Sequence, residues 1–283
     1  MDFSKLQHVA QPPARRAMPR AGPAIASEQL KLNMFTRRPN VTHITQRFLL
    51  IFLTCCFLLP ASAADNPYLY KVTLVQAAPG KLLELIDLYK QRSTALKEID
   101  ESPLWMRHSQ GDHWDLMILF PMGSYNEYYE PRRAARRKAV TAKLADQLKE
   151  NIAWQEDLFA YGPPLADLQK AFAGGAFFHV EMFVASPGKF ADLYKEREME
   201  NTYAKALQEP ENFIFVRDQG AAWDIFTIGV FRDLKHYAAS ADVPAKDQEA
   251  AAKAAGFESP SQIGPYLRRF IREHHDTLAV AVK

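Results

Sequence analysis

Over residues 68–76 the chain is rich in β-branched and aromatic residues, and Val72 and Leu74 alternate with Lys71 and Thr73 in the period-two pattern of a strand. Pro79-Gly80 ends it, and Leu82, Leu85, Ile86 and Tyr89 then recur at helical spacing. Strands at 104–107 and 114–120 flank a polar turn containing Gly111, the mark of a hairpin. A helical region at 124–152 leads to a last strand at 154–161. The same order returns, with strands at 177–184, 213–216, 223–231 and 277–282, a helix at 189–207 and a helical region running to about 272. Each unit therefore reads strand, helix, strand, strand, helix, strand.

The recurrence extends to the letters. Tyr70-Lys71-Val72 and Pro79-Gly80-Lys81 return as Phe178-His179-Val180 and Pro187-Gly188-Lys189, a shift of 108. Gln110-Gly111-Asp112-His113-Trp114-Asp115 returns as Gln219-Gly220-Ala221-Ala222-Trp223-Asp224, a shift of 109. Asp87-Leu88-Tyr89-Lys90 matches Asp192-Leu193-Tyr194-Lys195 about one helical turn out of step with the rest. A period this long is a duplicated domain rather than a solenoid array. The boundaries read 1–63 for an N-terminal extension and signal, 64–162 for the first repeat, 163–174 for a linker and 175–283 for the second repeat.

The element order is that of the ferredoxin-like split unit, an antiparallel sheet with both helices on one face. Two copies bury their bare faces by packing sheet to sheet, which encloses a barrel-like interior. The apolar strand followed by Pro-Gly-Lys and the hairpin ending in Trp-Asp resemble the dimeric α+β barrel proteins, and within them the NIPSNAP and antibiotic-biosynthesis-monooxygenase branches. The resemblance covers both repeats. It implies an α+β fold of two tandem ferredoxin-like (βαββαβ) repeats, a small-molecule ligand, and a cofactor-independent monooxygenase or related oxidoreductase activity. The duplicated fold is also similar to that of chlorite dismutases, which bind haem through a histidine of the second half, but no motif carries that ligand to a residue of this chain.

The segment before the repeats changes the picture of charge and redox chemistry. An apolar run at 48–59, preceded by Arg37, Arg38 and Arg47 and followed by Ala61-Ser62-Ala63, has the layout of a secretory signal peptide. Its 12 residues fall short of the ~20 needed to span a bilayer, so no permanent membrane anchor is expected. Met34 gives the signal a more usual length, which makes residues 1–33 an upstream extension. Cleavage near Ala63 would place the chain in the periplasm or outside the cell and remove Cys55 and Cys56. That excludes a cysteine nucleophile, thiolate metal ligation and disulfides. Cleavage also removes 8 of 35 basic and 2 of 33 acidic side chains, leaving 27 against 31 and a net charge of −4. No electrostatic case for nucleic acid survives. The basic run 132–138 reads as a solvated helix face paired with Glu127 and Glu130.

Candidate chemistry follows from the strand alternation. If Val72, Leu74, Val180 and Met182 face the helices, then Lys71, Thr73, His179 and Glu181 face the barrel, and Asp115 and Asp224 point inward beside them. His179 is then the candidate general base, with Glu181 or Asp224 orienting it, and Lys71, Thr73, Asp115 and His275 the substrate-binding set. His274 is an alternative to His275 at the last strand. A second reading keeps Lys71 with Asp115 and His179 with Asp224 as buried ion pairs. His179 and Glu181 share a strand face and His274-His275-Asp276 adds donors, but no recognised ligand motif is present, so no metal ligand and no cofactor is assigned. The tandem pair is expected as a monomer or a homodimer.

Overall fold

The computed structural model describes residues 68–282. The apolar run at 48–59, both cysteines and the cleavage point near Ala63 lie outside the described residues. The first repeat comprises β1 (Tyr68–Ala77), α1 (Leu82–Lys97), β2 (Leu104–Gln110), β3 (Leu116–Gly123), α2 (Tyr125–Tyr128), α3 (Pro131–Thr141), α4 (Ala145–Asn151) and β4 (Ile152–Gly162). The second comprises β5 (Phe177–Ala185), α6 (Phe190–Ala206), β6 (Phe213–Gly220), β7 (Ile225–Phe231), α7 (Leu234–Ala238), α8 (Ala245–Ala255), α9 (Ile263–Leu267) and β8 (Ile271–Ala281). The stretch expected as a linker carries α5 (Leu165–Gly174). No helix of the described residues is long and apolar enough to cross a membrane.

All eight strands form one closed antiparallel barrel in the order β1-β3-β2-β8-β5-β7-β6-β4. Within each repeat the order is that of the split unit, β4-β1-β3-β2 and β8-β5-β7-β6. Two seams join the repeats, β2 with β8 and β4 with β6. Each half thus pairs the edges of the other, and the open rows of N–H and C=O groups that an isolated four-stranded sheet would expose are used up.

The repeated motifs turn out to be the joints of this frame. Pro79-Gly80 and Pro187-Gly188 make matching turns, with Gly80 at φ +76° and Gly188 at φ +74°. Lys81 N–H donates to Ala78 O at 2.8 Å and Lys189 N–H to Ser186 O at 2.9 Å. Proline followed by glycine at positive φ is the chemistry of a type II turn. Both helices then start at the same offset, so Leu85 matches Leu193, each fully buried, and Tyr89 matches Arg197. The Asp-Leu-Tyr-Lys letter match is therefore not a spatial one. Gly111 (φ +123°) and Gly220 (φ +77°) lie at the two seams, where a Cβ would run into the backbone of Asp276 and Thr277 or of Asp157 and Leu158.

Two sequence expectations are corrected by packing. The last strand begins at Ile271 rather than 277, because Glu273 to Asp276 pair with Val184 to Glu181 of β5 despite their polar side chains. The basic run on α3 is not simply a solvated face. Arg133 Nε and Arg137 Nη1 donate to the two oxygens of buried Glu101 at 2.6 and 2.8 Å, and Arg137 stacks 3.6 Å from the Tyr128 ring centre.

The seam glycines should be irreplaceable. Gly111→Ala and Gly220→Ala each combine backbone overlap with a disfavoured φ, and each is expected to cost about 2–4 kcal/mol. Thermal denaturation should show a midpoint lowered by the order of 10 °C. Gly174→Ala, at the end of α5 where the added Cβ meets open space, should leave the midpoint unchanged or slightly raised.

Candidate functional site

The middle of the barrel interior is apolar, and ionisable groups reach the inner face only towards its ends, His275 opposite Met182, Glu156 opposite Leu74 and Arg217 opposite Ala160. Tyr70, Val72 and Leu74 of β1, Met106 of β2, Met117 and Leu119 of β3, Leu158 and Ala160 of β4, and Phe178, Val180 and Met182 of β5 belong to one buried cluster. Phe215, Phe226, Ile228 and Ala279 complete it from β6, β7 and β8, and Leu168 of α5 joins them. The faces assigned from sequence are therefore inverted: Val72, Leu74, Val180 and Met182 point inward, and Lys71, Thr73, His179 and Glu181 point outward to the helical layer. An eight-stranded barrel has a lumen wide enough for side chains or one small ligand, and here its middle is lined by the apolar faces of the strands.

The expected convergence on one cavity does not occur. Lys71 Nζ lies 3.0 Å from Asp157 Oδ2, and Thr73 Oγ1 donates to Asp157 Oδ1 at 2.6 Å. Asp115 and Asp224, expected inside, are strand-end clamps. Asp115 Oδ2 accepts from Ala77 N–H at 2.8 Å and Asp224 Oδ2 from Ala185 N–H at 2.9 Å, while Arg217 Nη2 donates to Asp224 Oδ1 at 2.6 Å. That is why Trp-Asp is repeated. The Asp224 carboxylate is occupied by the frame and does not orient His179. His275 does lie on the inner face, opposite Met182 at one end of the barrel, 3.3 Å from Asp112 Oδ2 and edge-on to Trp223, apart from His179 and Glu181.

Two of the predicted residues do meet, joined by two that the strand alternation did not single out. On the outer face of β5 and β8, His179 Nε2 is 3.6 Å from Asp276 Oδ1, and His274 Nε2 is 3.0 Å from the same oxygen and 3.8 Å from Glu181 Oε1. The pairing of Glu181 with Asp276 and of Phe183 with His274 sets these distances. Phe183 and His274 stack with ring centres 4.9 Å apart. Glu181 is 8% exposed and its other oxygen is held from behind, accepting from Thr227 Oγ1 at 3.0 Å and Arg197 Nη1 at 3.3 Å. Asp276 is 56% exposed, so the slot is closed at Glu181 and open at Asp276. Tyr237 of α7 and Phe177 form an aromatic wall, the Tyr237 ring centre standing 5.4 Å from those of both His179 and Phe177.

Arg197 anchors the group. Its guanidinium is fully buried against the Phe183 ring and donates to Glu196 at 2.7 Å and Glu200 at 2.6 Å as well as to Glu181. One cation thus serves three carboxylates. Burial pushes Glu196 upward and Glu200 up to about 8. Burial would also raise Glu181, but His274, Arg197 and His179 outweigh it and hold that carboxyl below its ordinary value. The His179 and His274 imidazoles hold Asp276 well below the usual carboxylate range. His274 is pushed up to about 9, by Asp276 first and Glu181 second, against the opposing effect of burial. The arrangement can bind a cation or a hydrogen-bond donor and hold or release a proton at an imidazole.

Two cavities lie elsewhere. One of about 660 Å³ is lined by Lys170 of α5, Asn201, Phe213, Phe231 and His236, and one of about 400 Å³ by Tyr89, Arg92, Leu148 and Gln155. None of the predicted site residues lines either cavity.

No protein-family model matches the chain, and no curated protein matches it by sequence. Solved structures do match in fold. An anthrone oxidase-like protein superposes with a TM-score of 0.52 at 13% identity, over 77% of this chain and 93% of that one. A candidate monooxygenase from Lactobacillus acidophilus NCFM gives 0.48 at 8% identity, over 76% and 93%. Another from Fusobacterium nucleatum gives 0.49 at 7% identity, over 77% and 93%. The fold is that of the dimeric α+β barrel proteins, with both halves supplied by one chain.

The Arg197 cluster carries a pH signature. A carboxyl raised from 4.5 to about 8 contributes stability that is full below its unfolded value and lost as pH rises through the folded one. Glu200→Gln keeps an oxygen for Arg197 and stays neutral throughout. Its thermal midpoint should fall less than that of the wild type between about pH 5 and pH 9, as followed by circular dichroism.

Proposed function

We propose that this chain is an exported small-molecule-binding barrel protein with oxidoreductase chemistry of the monooxygenase type, and that its substrate enters the slot between His179 and Asp276. The observation that carries this is the asymmetry of the slot: Glu181 is buried and held from behind by Thr227 and Arg197, while Asp276 and His179 face a solvent-reachable opening beside Tyr237 and Phe177. In this reading His179 takes a proton from an acidic group of the substrate, and Asp276 orients the imidazole and stabilises the cation that forms. The aromatic wall suits a small hydroxyaromatic, and the fold shared with an anthrone oxidase-like protein supports that class. Export rests on the apolar run at 48–59 and the Ala61-Ser62-Ala63 site, and places the working protein in the periplasm or outside the cell.

A second reading, a non-catalytic structural or interaction protein, is favoured by one observation, the barrel interior filled with apolar side chains. There the Glu181 and Arg197 pairs serve the fold alone.

The two readings separate in an oxygen electrode. With an anthrone as probe the wild type should consume oxygen, and His179→Gln should lower the rate by about 100-fold or more while its thermal midpoint stays within about 2 °C. Oxygen uptake that is absent in the wild type selects the structural reading, and uptake that is unchanged in the variant overturns the assignment of the slot as the working site. For export, N-terminal sequencing of the processed protein should begin at Ala64, and a chain retaining residues 48–59 in the cytoplasmic fraction would overturn that assignment.

A further inference from the structure

The duplication supplies an internal control for the slot. In the first repeat Asp157 faces Thr73 across the strand pair and is neutralised by Lys71, 3.0 Å away, with Gln155 Nε2 donating at 3.1 Å. In the second repeat the same three positions around Asp276 hold Glu181, His179 and His274. The lysine has become an imidazole and the threonine a second carboxylate. Among the described residues, no lysine or arginine comes within 4.0 Å of Asp276. Glu181 has only Arg197, which is already shared with Glu196 and Glu200. A site that lost its own cation and gained a carboxylate and two imidazoles has the donor set of a transition-metal centre.

Geometry agrees. Donor atoms of His179, Glu181 and Asp276 all lie within 4.8 Å of one another. The closest contacts, 3.0 and 3.6 Å at Asp276 Oδ1, approach the roughly 3–3.5 Å that separates two ligands each about 2.1 Å from one ion. His274 Nε2 is sealed from solvent between the two carboxylates, 3.0 Å from Asp276 Oδ1 and 3.8 Å from Glu181 Oε1. A metal ion here would take the place of the proton that the imidazole otherwise holds between them. The hydrogen bonds from Thr227 and Arg197 to Glu181 Oε2 leave Oε1 free and fix its direction, as supporting contacts do around ligating carboxylates.

We propose that His179, Glu181 and Asp276, with His274 as a fourth donor, bind one divalent transition-metal ion of the zinc, iron or manganese class. This rests on the reading of the slot as the working site and names its cofactor, and it makes His179 a ligand in place of the general base. It departs from the cofactor-independent chemistry that the sequence resemblance implies. The exposed side of Asp276 leaves a position for water or substrate, the feature that separates a catalytic from a structural metal site.

The test uses chelator-treated whole protein titrated calorimetrically with zinc, manganese(II) and, without oxygen, iron(II), alongside elemental analysis of the untreated protein. One equivalent per chain is expected for at least one metal. Asp276→Asn and His274→Gln should each weaken binding by about 10- to 100-fold or more while circular dichroism stays native. Asp157→Asn, the matching position of the first repeat, should leave affinity and stoichiometry unchanged. Absence of stoichiometric binding, binding indifferent to Asp276→Asn, equal loss in Asp157→Asn, or a Soret band in place of a non-haem metal would each overturn the inference. Oxygen uptake unaffected by metal removal would overturn it while leaving the proposed function standing. Stoichiometric metal in a protein without oxygen uptake would do the reverse.

Discussion

Everything in this molecule depends on the two seams where one repeat supplies the missing neighbour of the other. A four-stranded sheet ends in two rows of unpaired backbone groups, and here β8 covers β2 while β6 covers β4. Closing both seams requires backbone to approach backbone at Gly111 and Gly220, where no side chain fits. Closure also decides what each strand face is for. The inner face must fill a narrow lumen at crystal-like density, so it is apolar, as the parallel stack of Phe215 and Phe226 at 4.5 Å shows. Apart from those near the barrel ends, such as His275 and Glu156, polar side chains on the same strands are left to the outer layer beneath the helices, and that is where the slot is built.

The two outer layers show what duplication allows. In the first repeat, Thr73 is paired across the strands with Ile118, which belongs to an apolar cluster with Tyr89, and one modest pair joins Lys71 and Asp157. In the second, the corresponding places hold Glu181, Thr227 and Arg197. The frame is common to both, yet one half is an ordinary core and the other contains three carboxylates around one buried guanidinium. Ion clusters of this kind are costly to desolvate and seldom more stable than apolar packing. The first repeat has a buried ion cluster of its own at Glu101, Arg133 and Arg137, but only in the second does one stand next to two imidazoles, His179 and His274, and that placement points to a demand beyond folding.

Legibility from sequence was uneven for physical reasons. Strand and helix order showed in the alternation and in Pro-Gly, because these signals are local. The repeated Trp-Asp was visible too, but its role was not: Asp115 and Asp224 bind the amides of Ala77 and Ala185, 38 and 39 residues away, and only the fold brings those groups together. The alternation separated two faces of β1 and β5 without saying which was inside, since in a closed barrel wrapped by helices both faces are buried. His179 and Glu181 were singled out as a pair on one face, which the strand period guarantees. His274 and Asp276 were visible as donors, but their part in the slot is set by the register of β8 on β5.

The sequence by itself determined the duplication, the order of elements, the turns that link them and the side chains that share a strand face, because each depends on residues close along the chain. Tertiary structure alone decided which face became the lumen, which glycines stand at the seams, and that His179 meets Asp276 while Lys71 meets Asp157. Those outcomes depend on strand register and barrel closure, and both are set by backbone pairing between segments far apart in the chain, such as Met106 with Ala281.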